Sequence, residues 1–168
     1  MSRRDDIVAA ARGIIEDEGA DALTMRALAD RLGIKAPSLY KHFRNKAEVE
    51  AAVVAQGLAE VGAAVSSTDG GLAGVARAYR AYALAHPNLY RLINDRPLAR
   101  HLLPEGLEDS AAAPLVAVTA DGNQARAAWA FAHGMVTLEL AGRFPADADL
   151  DAAWAAGVGA FSNGGAGG

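Results

Sequence analysis

The 168-residue chain contains no cysteine. That excludes disulfides and thiolate metal sites, and it fits the reducing cytoplasm, where the protein is expected to work. Aromatic residues are scarce, at 6%, so alanine, leucine and valine must supply most of the packing. Such a composition favours closely packed helices over a β-sandwich. No uninterrupted apolar run of the ~18 residues needed to span a bilayer is apparent, so no membrane span is expected. The start, "MSRRDDIVAAARG", is charged and lacks the apolar core of a signal peptide. Chemistry-bearing constellations are also missing. The four histidines, His42, His86, His101 and His133, share no i, i+4 spacing, so no metal site is expected. "DGGLAGVAR" lacks the lysine of a phosphate-binding loop and follows no strand. His133 and Glu139 are six apart on one helix and lie on different faces. No catalytic role and no cofactor are expected.

The chain does hold a large apolar fraction, 52%, and a net charge of −4 that is unevenly spread. Between Thr24 and Lys46 the basic residues Arg26, Arg31, Lys35, Lys41, Arg44 and Lys46 face only Asp30, a local net of +5. Beyond Glu50 there are 7 basic and 11 acidic side chains. A local basic patch attracts phosphate even on an acidic protein, although a solvated helix surface would have the same composition.

Helical periodicity runs through most of the chain, and no strand signal stands out. Ile7, Ala11, Ile14 and Ile15 form one stripe, with Gly19 as its stop. Thr24 is a suitable N-cap for a second helix that buries Met25, Leu28, Ala29 and Leu32 and ends at Gly33. Ile34 is expected to tuck into the core. A third helix is expected from about Ala36 to Phe43, with Pro37 in its first turn and Leu39 and Phe43 facing inward. Asn45 and Glu48 read as the capping box of a long fourth helix reaching about residue 65. "SSTDGG" breaks it. Helices follow over Leu72–Ala83, "NLYRLIN", a segment interrupted by Pro114, "NQARAAWAFAHGMVTLELAGRF" and "ADLDAAWAAGVGAF".

The second and third helices, joined at glycine, have helix-turn-helix proportions. Leu39 and Phe43 would anchor the recognition helix, leaving Lys35, Ala36, Pro37, Ser38, Tyr40 and His42 facing DNA. Lys46, at the N-terminus of the fourth helix, would meet another phosphate. The competing reading is an ordinary helical hairpin.

The stretch "IIEDEGADALTMRALADRLGIKAPSLYKHFRNKAEVEAAV" resembles the N-terminal domain of the tetracycline-repressor (TetR) family over about residues 4–54. Its marks are G-x-x-x-L-T-x-R-x-L-A-x-x-L-G-I, then L-Y-K-H-F, then N-K. The resemblance implies an all-α homodimeric regulator, most simply a repressor, that binds a pseudo-palindromic operator in double-stranded DNA. A small, mostly apolar effector in the C-terminal domain would release it. By position, Arg26 and Lys35-Ala36-Pro37 would approach base edges, and Thr24, Ser38, Tyr40, His42 and Lys46 would hold phosphates. Lys35 departs from the Ser or Thr that caps the recognition helix in many members. "RAAWAFAHG" and "LELAGRFP" resemble the branch with a Trp-His-Gly motif, here Trp129, His133 and Gly134.

The implied organisation is a helix-turn-helix domain at 1–48, a helical ligand-binding and dimerisation domain at 49–161, and a flexible tail at 162–168. The penultimate helix carries two apolar stripes, Trp129/His133/Val136/Leu140 and Phe131/Met135/Leu138/Gly142, and so calls for a partner subunit. Tyr79, Tyr82, His86, Tyr90, Trp129 and His133 are the candidates to line an effector cavity, with plain core packing as the alternative for each. A helical dimer that binds ligand or protein but not DNA is the alternative for the whole chain.

Overall fold

The computed structural model describes residues 2–162. Among these residues there are nine α-helices and no strand: α1 Arg3–Glu18, α2 Met25–Arg31, α3 Ala36–Leu39, α4 Lys46–Ser66, α5 Gly71–Ala85, α6 Pro87–Asn94, α7 Leu107–Ala117, α8 Gly122–Leu140 and α9 Leu150–Ser162. Short 3-10 turns at Ala20–Ala22 and Arg100–Leu102 were not foreseen. The expected tail lies outside the described residues, apart from Ser162, which ends α9.

Local chemistry explains the boundaries. A capping box starts α1: Ser2 Oγ accepts from the Asp5 amide at 3.2 Å, and Asp5 Oδ2 accepts from the Ser2 amide at 2.7 Å. The backbone hydrogen bond from Ser2 holds the Asp5 carboxyl below its ordinary pKa. Gly19, at φ 87°, ends the helix in a conformation that suits glycine. At the start of α4, Asn45 Oδ1 accepts from the Glu48 amide at 3.0 Å, and Glu48 reaches back to the Arg44 amide at 2.8 Å. Asp121 caps α8 by accepting from the Asn123 and Gln124 amides. Pro114 sits inside α7 without breaking it. It costs the helix one internal N–H, and α7 buries no residue.

By packing, the chain forms two compact units. One compact unit is Met1–Ala59 with His86–Leu107; the other is Glu60–Ala85 with the residues from Glu108 onward. The first unit closes around Ile7, Ile15, Leu28, Leu39, Phe43, Val49, Val53 and Leu89, all nearly inaccessible. α6 is held to α1 by polar contacts as well. His86 Nδ1 lies 2.8 Å from Glu16 Oε1, and Asn88 Nδ2 donates to the Glu16 carbonyl at 2.9 Å. Arg96 bonds Asp21 and lies 3.6 Å from Glu50.

In the second unit α5, α8 and α9 pack together. Arg80 on α5 donates to Glu139 on α8 through Nε (3.0 and 3.2 Å) and Nη2 (2.7 Å). Its Nη1 donates to Asp151 on α9 at 2.5 Å. The Glu139 bonds keep the guanidinium charged beyond its ordinary range. Phe131 lies directly against Gly157, between Trp154 and Phe161. Each expected stripe of the penultimate helix is therefore part covered and part open: in one, Val136 is fully buried and Trp129 half exposed; in the other, Phe131 is half-buried against α9 and Leu138 exposed.

Length and composition alone would let α4 cross a membrane, contrary to the expectation that no segment qualifies. Its first half instead supplies the core residues Val49, Val53 and Val54, and Lys46, Glu48, Glu50 and Glu60 interrupt it.

Candidate nucleic-acid interface

The surface is built from α2, the turn after it, and α3. Thr24 Oγ1 accepts from the Ala27 amide at 3.0 Å and fixes the start of α2. Gly33, at φ 64°, makes the turn. α3 is shorter than expected, with regular helix only over Ala36–Leu39. The chain then closes tightly, with the His42 and Phe43 amides both donating to the Leu39 carbonyl, at 2.9 and 3.0 Å. Lys35 occupies the N-cap without a side-chain cap bond, since an ammonium has no acceptor to offer the helix amides.

Two anchors hold this segment against the first unit. Leu39 and Phe43 are buried to 1% exposure or less. The candidate residues outside them differ in exposure. Tyr40 is 53% exposed; Thr24, Arg26, Lys35, Pro37 and Ser38 are exposed; Ala36, His42 and Lys46 are half-buried. Ile34 is half-buried rather than sealed in the core, as are Met25 and Leu32. Lys41 and Arg44 are exposed on the same short segment. The Arg26 and Arg44 side chains are about nine-tenths exposed although each has a carboxylate near, Asp30 at 3.9 Å and Glu48 at 3.6 Å. Exposed pairs of this kind are worth little, so exchanging them for phosphate costs little. Lys46 is more committed: its Nζ donates to the Ala20 carbonyl at 3.3 Å and lies 3.3 Å from Glu50 Oε1.

Two groups of residues were missed by sequence reasoning. Arg4 reaches from α1 to the His42 carbonyl, 38 positions on. Arg80, Glu139 and Asp151 converge from three helices. Neither has a local spacing signal, because the partners are brought together only by the tertiary fold.

The candidate effector residues fall in both units. Tyr79, Tyr82, Trp129 and His133 belong to the second and His86 and Tyr90 to the first. Tyr90 is 2% exposed within the first core, and His86 is engaged with Glu16. Those contacts give both residues a packing role. Tyr82 donates to Glu60 Oε2 at 3.0 Å. The Trp129 and His133 rings lie 6.2 Å apart. A recess of about 90 Å³ in the first unit is lined by other residues, among them Ala51, Val54, Leu92, Leu103, Glu50 and Arg96.

The profile of bacterial regulatory proteins, tetR family, matches residues 7–53, and that of the tetracyclin repressor-like C-terminal domain matches residues 72–161. An uncharacterized HTH-type transcriptional regulator of Mycobacterium tuberculosis, Rv0681, is 38% identical, the match covering 89% of this chain and 75% of that protein. The class A tetracycline repressor protein from transposon 1721 of Escherichia coli is 44% identical over 54 residues, 32% of this chain and 25% of that one. Among solved structures, a protein of unknown function from Rhodococcus sp. RHA1 superposes with a TM-score of 0.79 at 25% identity, covering 98% of this chain and 95% of that one. A TetR variant from Acinetobacter baumannii AYE in complex with minocycline gives 0.66 at 26% identity, covering 96% and 94%. The helix-turn-helix geometry, both family profiles and the long match to Rv0681 agree: this chain belongs to the tetR family of bacterial regulatory proteins and is a DNA-binding transcriptional regulator, not an enzyme.

Proposed function

We propose that the protein is a repressor that binds a pseudo-palindromic operator as a homodimer and leaves it when a small apolar effector binds the C-terminal part of the chain. The observation that carries the DNA reading is the division of the recognition segment. Leu39 and Phe43 are sealed inside, while Tyr40, Ser38, Lys35 and Lys41 stand outside, with Pro37 exposed among them. Arg26, Lys35, Ala36 and Pro37 would read base edges. Thr24, Ser38, Tyr40, His42 and Lys46 would hold phosphates. The Thr24 hydroxyl serves both roles, since an oxygen that accepts from an amide still has its own proton to donate. Lys46 would trade its bond to the Ala20 carbonyl for a phosphate.

The dimer is supported by what α8 and α9 leave uncovered. Trp129 and Leu138 are exposed on α8. The outer side of α9 is made of Ala152, Ala153, Ala155, Ala156 and Ala160, all exposed. A helix whose solvent side is alanine lets a second helix approach closely. Two recognition segments would then meet half-sites about one helical turn of DNA apart. Tyr79, Tyr82, Trp129 and His133 remain the candidates for effector contact, and His86 and Tyr90 would act mainly through packing. Residues 1–48 would serve DNA and 49–161 effector and partner. α4 belongs to both, and the effector would act through it by preferring one of two dimer states. The site of action is the cytoplasm, where the chromosome lies.

The test is a gel shift with duplex DNA from upstream of the chain's own gene, comparing the full chain with Tyr40→Ala. Loss of the shift, with dimer mass unchanged, is expected. Unaltered affinity in the variant would refute the assignment of this face.

A further inference from the structure

Arg4 stands outside the helix-turn-helix, in the first turn of α1, yet it makes two contacts with the end of the recognition segment. Its Nη1 donates to the His42 carbonyl at 2.8 Å. Its guanidinium carbon lies 4.0 Å from the centroid of the Phe43 ring. Both contacts fall where the segment has least support of its own. Regular helix ends at Leu39, and carbonyls beyond the last turn have no intrahelical donor. The tight closure uses the Leu39 carbonyl twice, which leaves the His42 carbonyl to be satisfied from elsewhere. A charged donor makes the stronger kind of hydrogen bond, and the same guanidinium covers the face of the ring that anchors the turn.

We propose that Arg4 is a positioning residue for DNA recognition: by holding the His42 carbonyl and the Phe43 ring it fixes the 40–43 turn, and so aims Tyr40, Lys41 and His42, without itself touching DNA. The inference rests on the reading of Tyr40 and His42 as DNA-facing. The sequence gives no hint of it, since a basic residue near the start of α1 reads as a further phosphate contact or as solvated surface. The geometry favours the internal role, because a guanidinium stacked on Phe43 and bonded to a carbonyl is already oriented by the protein.

The test compares the full chain with Arg4→Met, which keeps apolar cover over Phe43 and removes the donor, and Arg4→Lys, which keeps the charge and one donor. Amide hydrogen exchange is read first. In Arg4→Met, exchange across residues 40–44 should quicken about tenfold or more, as expected for loss of a hydrogen bond from a charged donor. α2 and α4 should be unaltered, and Arg4→Lys should fall between. Unchanged exchange at 40–44 would overturn the proposal. DNA affinity for the upstream duplex is then measured against salt. Arg4→Met should bind about tenfold or more weakly with the salt slope of the parent. A slope reduced by about one would mark Arg4 as a phosphate contact and also overturn the proposal. If the parent bound no DNA, the functional reading would fail, and the exchange result would still decide whether Arg4 holds the turn.

Discussion

Replacing Arg80 by alanine should destabilise the second unit substantially. Arg80 holds Glu139 with two donor nitrogens, Nε shared between both carboxylate oxygens and Nη2 on one, between 2.7 and 3.2 Å. The Glu139 side chain is 13% exposed and that of Arg80 22%. Without Arg80, the main donor left to Glu139 is Trp154 Nε1, at a long 3.4 Å. Stripping one partner from a fully buried pair costs about 3–5 kcal/mol, because the other charge is stranded. Partial solvent access here reduces that to about 2–4 kcal/mol. The Asp151 contribution is small, since its side chain is 88% exposed and surface pairs contribute about 0–1 kcal/mol. For a chain of this size the loss corresponds to a fall in Tm of roughly 5–12 °C. Urea unfolding followed by tryptophan fluorescence is a direct assay, as Trp154 is buried against the network. The pair Arg80→Met with Glu139→Leu should recover much of the loss, because no charge is then stranded. A cost below about 0.5 kcal/mol for Arg80→Ala would place it among neutral surface changes and refute the reasoning, as would an Asp151→Ala cost equal to it.

Two further changes probe packing and capping. A Cβ at Gly157 would lie 2.0 Å from Phe131 Cζ, and Trp154 and Phe161 restrict where the ring can go. Gly157→Ala should therefore cost about 1–3 kcal/mol, read by urea unfolding, and an unchanged midpoint would contradict the close approach of α9 to α8. The Asp121 carboxyl is held below its ordinary value of 3.8 by amide hydrogen bonds from Gln124 and Asn123. A depressed folded pKa gives stability that is complete above the unfolded value and lost as pH falls through the folded one. The Tm advantage of the parent over Asp121→Ala should hold from pH 7 to about 5 and shrink below about pH 4; an advantage that grew in acid would rule out the cap.

Much of the fold was legible because the helices are amphipathic and their ends are marked. Thr24, Gly33, Asn45 and Pro87 each stand at a helix boundary. The exposure of Tyr40 and Ser38 was legible for the same reason. Once Leu39 and Phe43 are assigned inward, helical geometry leaves Tyr40 and Ser38 outward. α3 was overestimated because periodicity does not distinguish a further helical turn from the tight closure onto the Leu39 carbonyl. The intrachain cover of Phe131 was not legible, because the pattern says that a face is apolar, not which neighbour covers it. The space beside Gly157 exists only once α9 has folded back. Arg4 and Arg80 were invisible for a related reason: polar contacts over 38 and 59 positions leave no local spacing.

The central claim is that the exposed face around Tyr40 meets the phosphates of DNA. Its most direct measurement is affinity for the upstream duplex between 50 and 200 mM salt. Arg26, Lys35, Lys41 and Arg44 are exposed in each chain, so the proposed dimer would offer about eight cations, Lys41 and Arg44 to phosphates and Arg26 and Lys35 mainly to base edges. If about half or more neutralise phosphates, log affinity should fall against log salt with a slope of roughly −4 to −7, a loss of about 10² to 10⁴-fold over that range. A slope between about 0 and −1 would contradict the account.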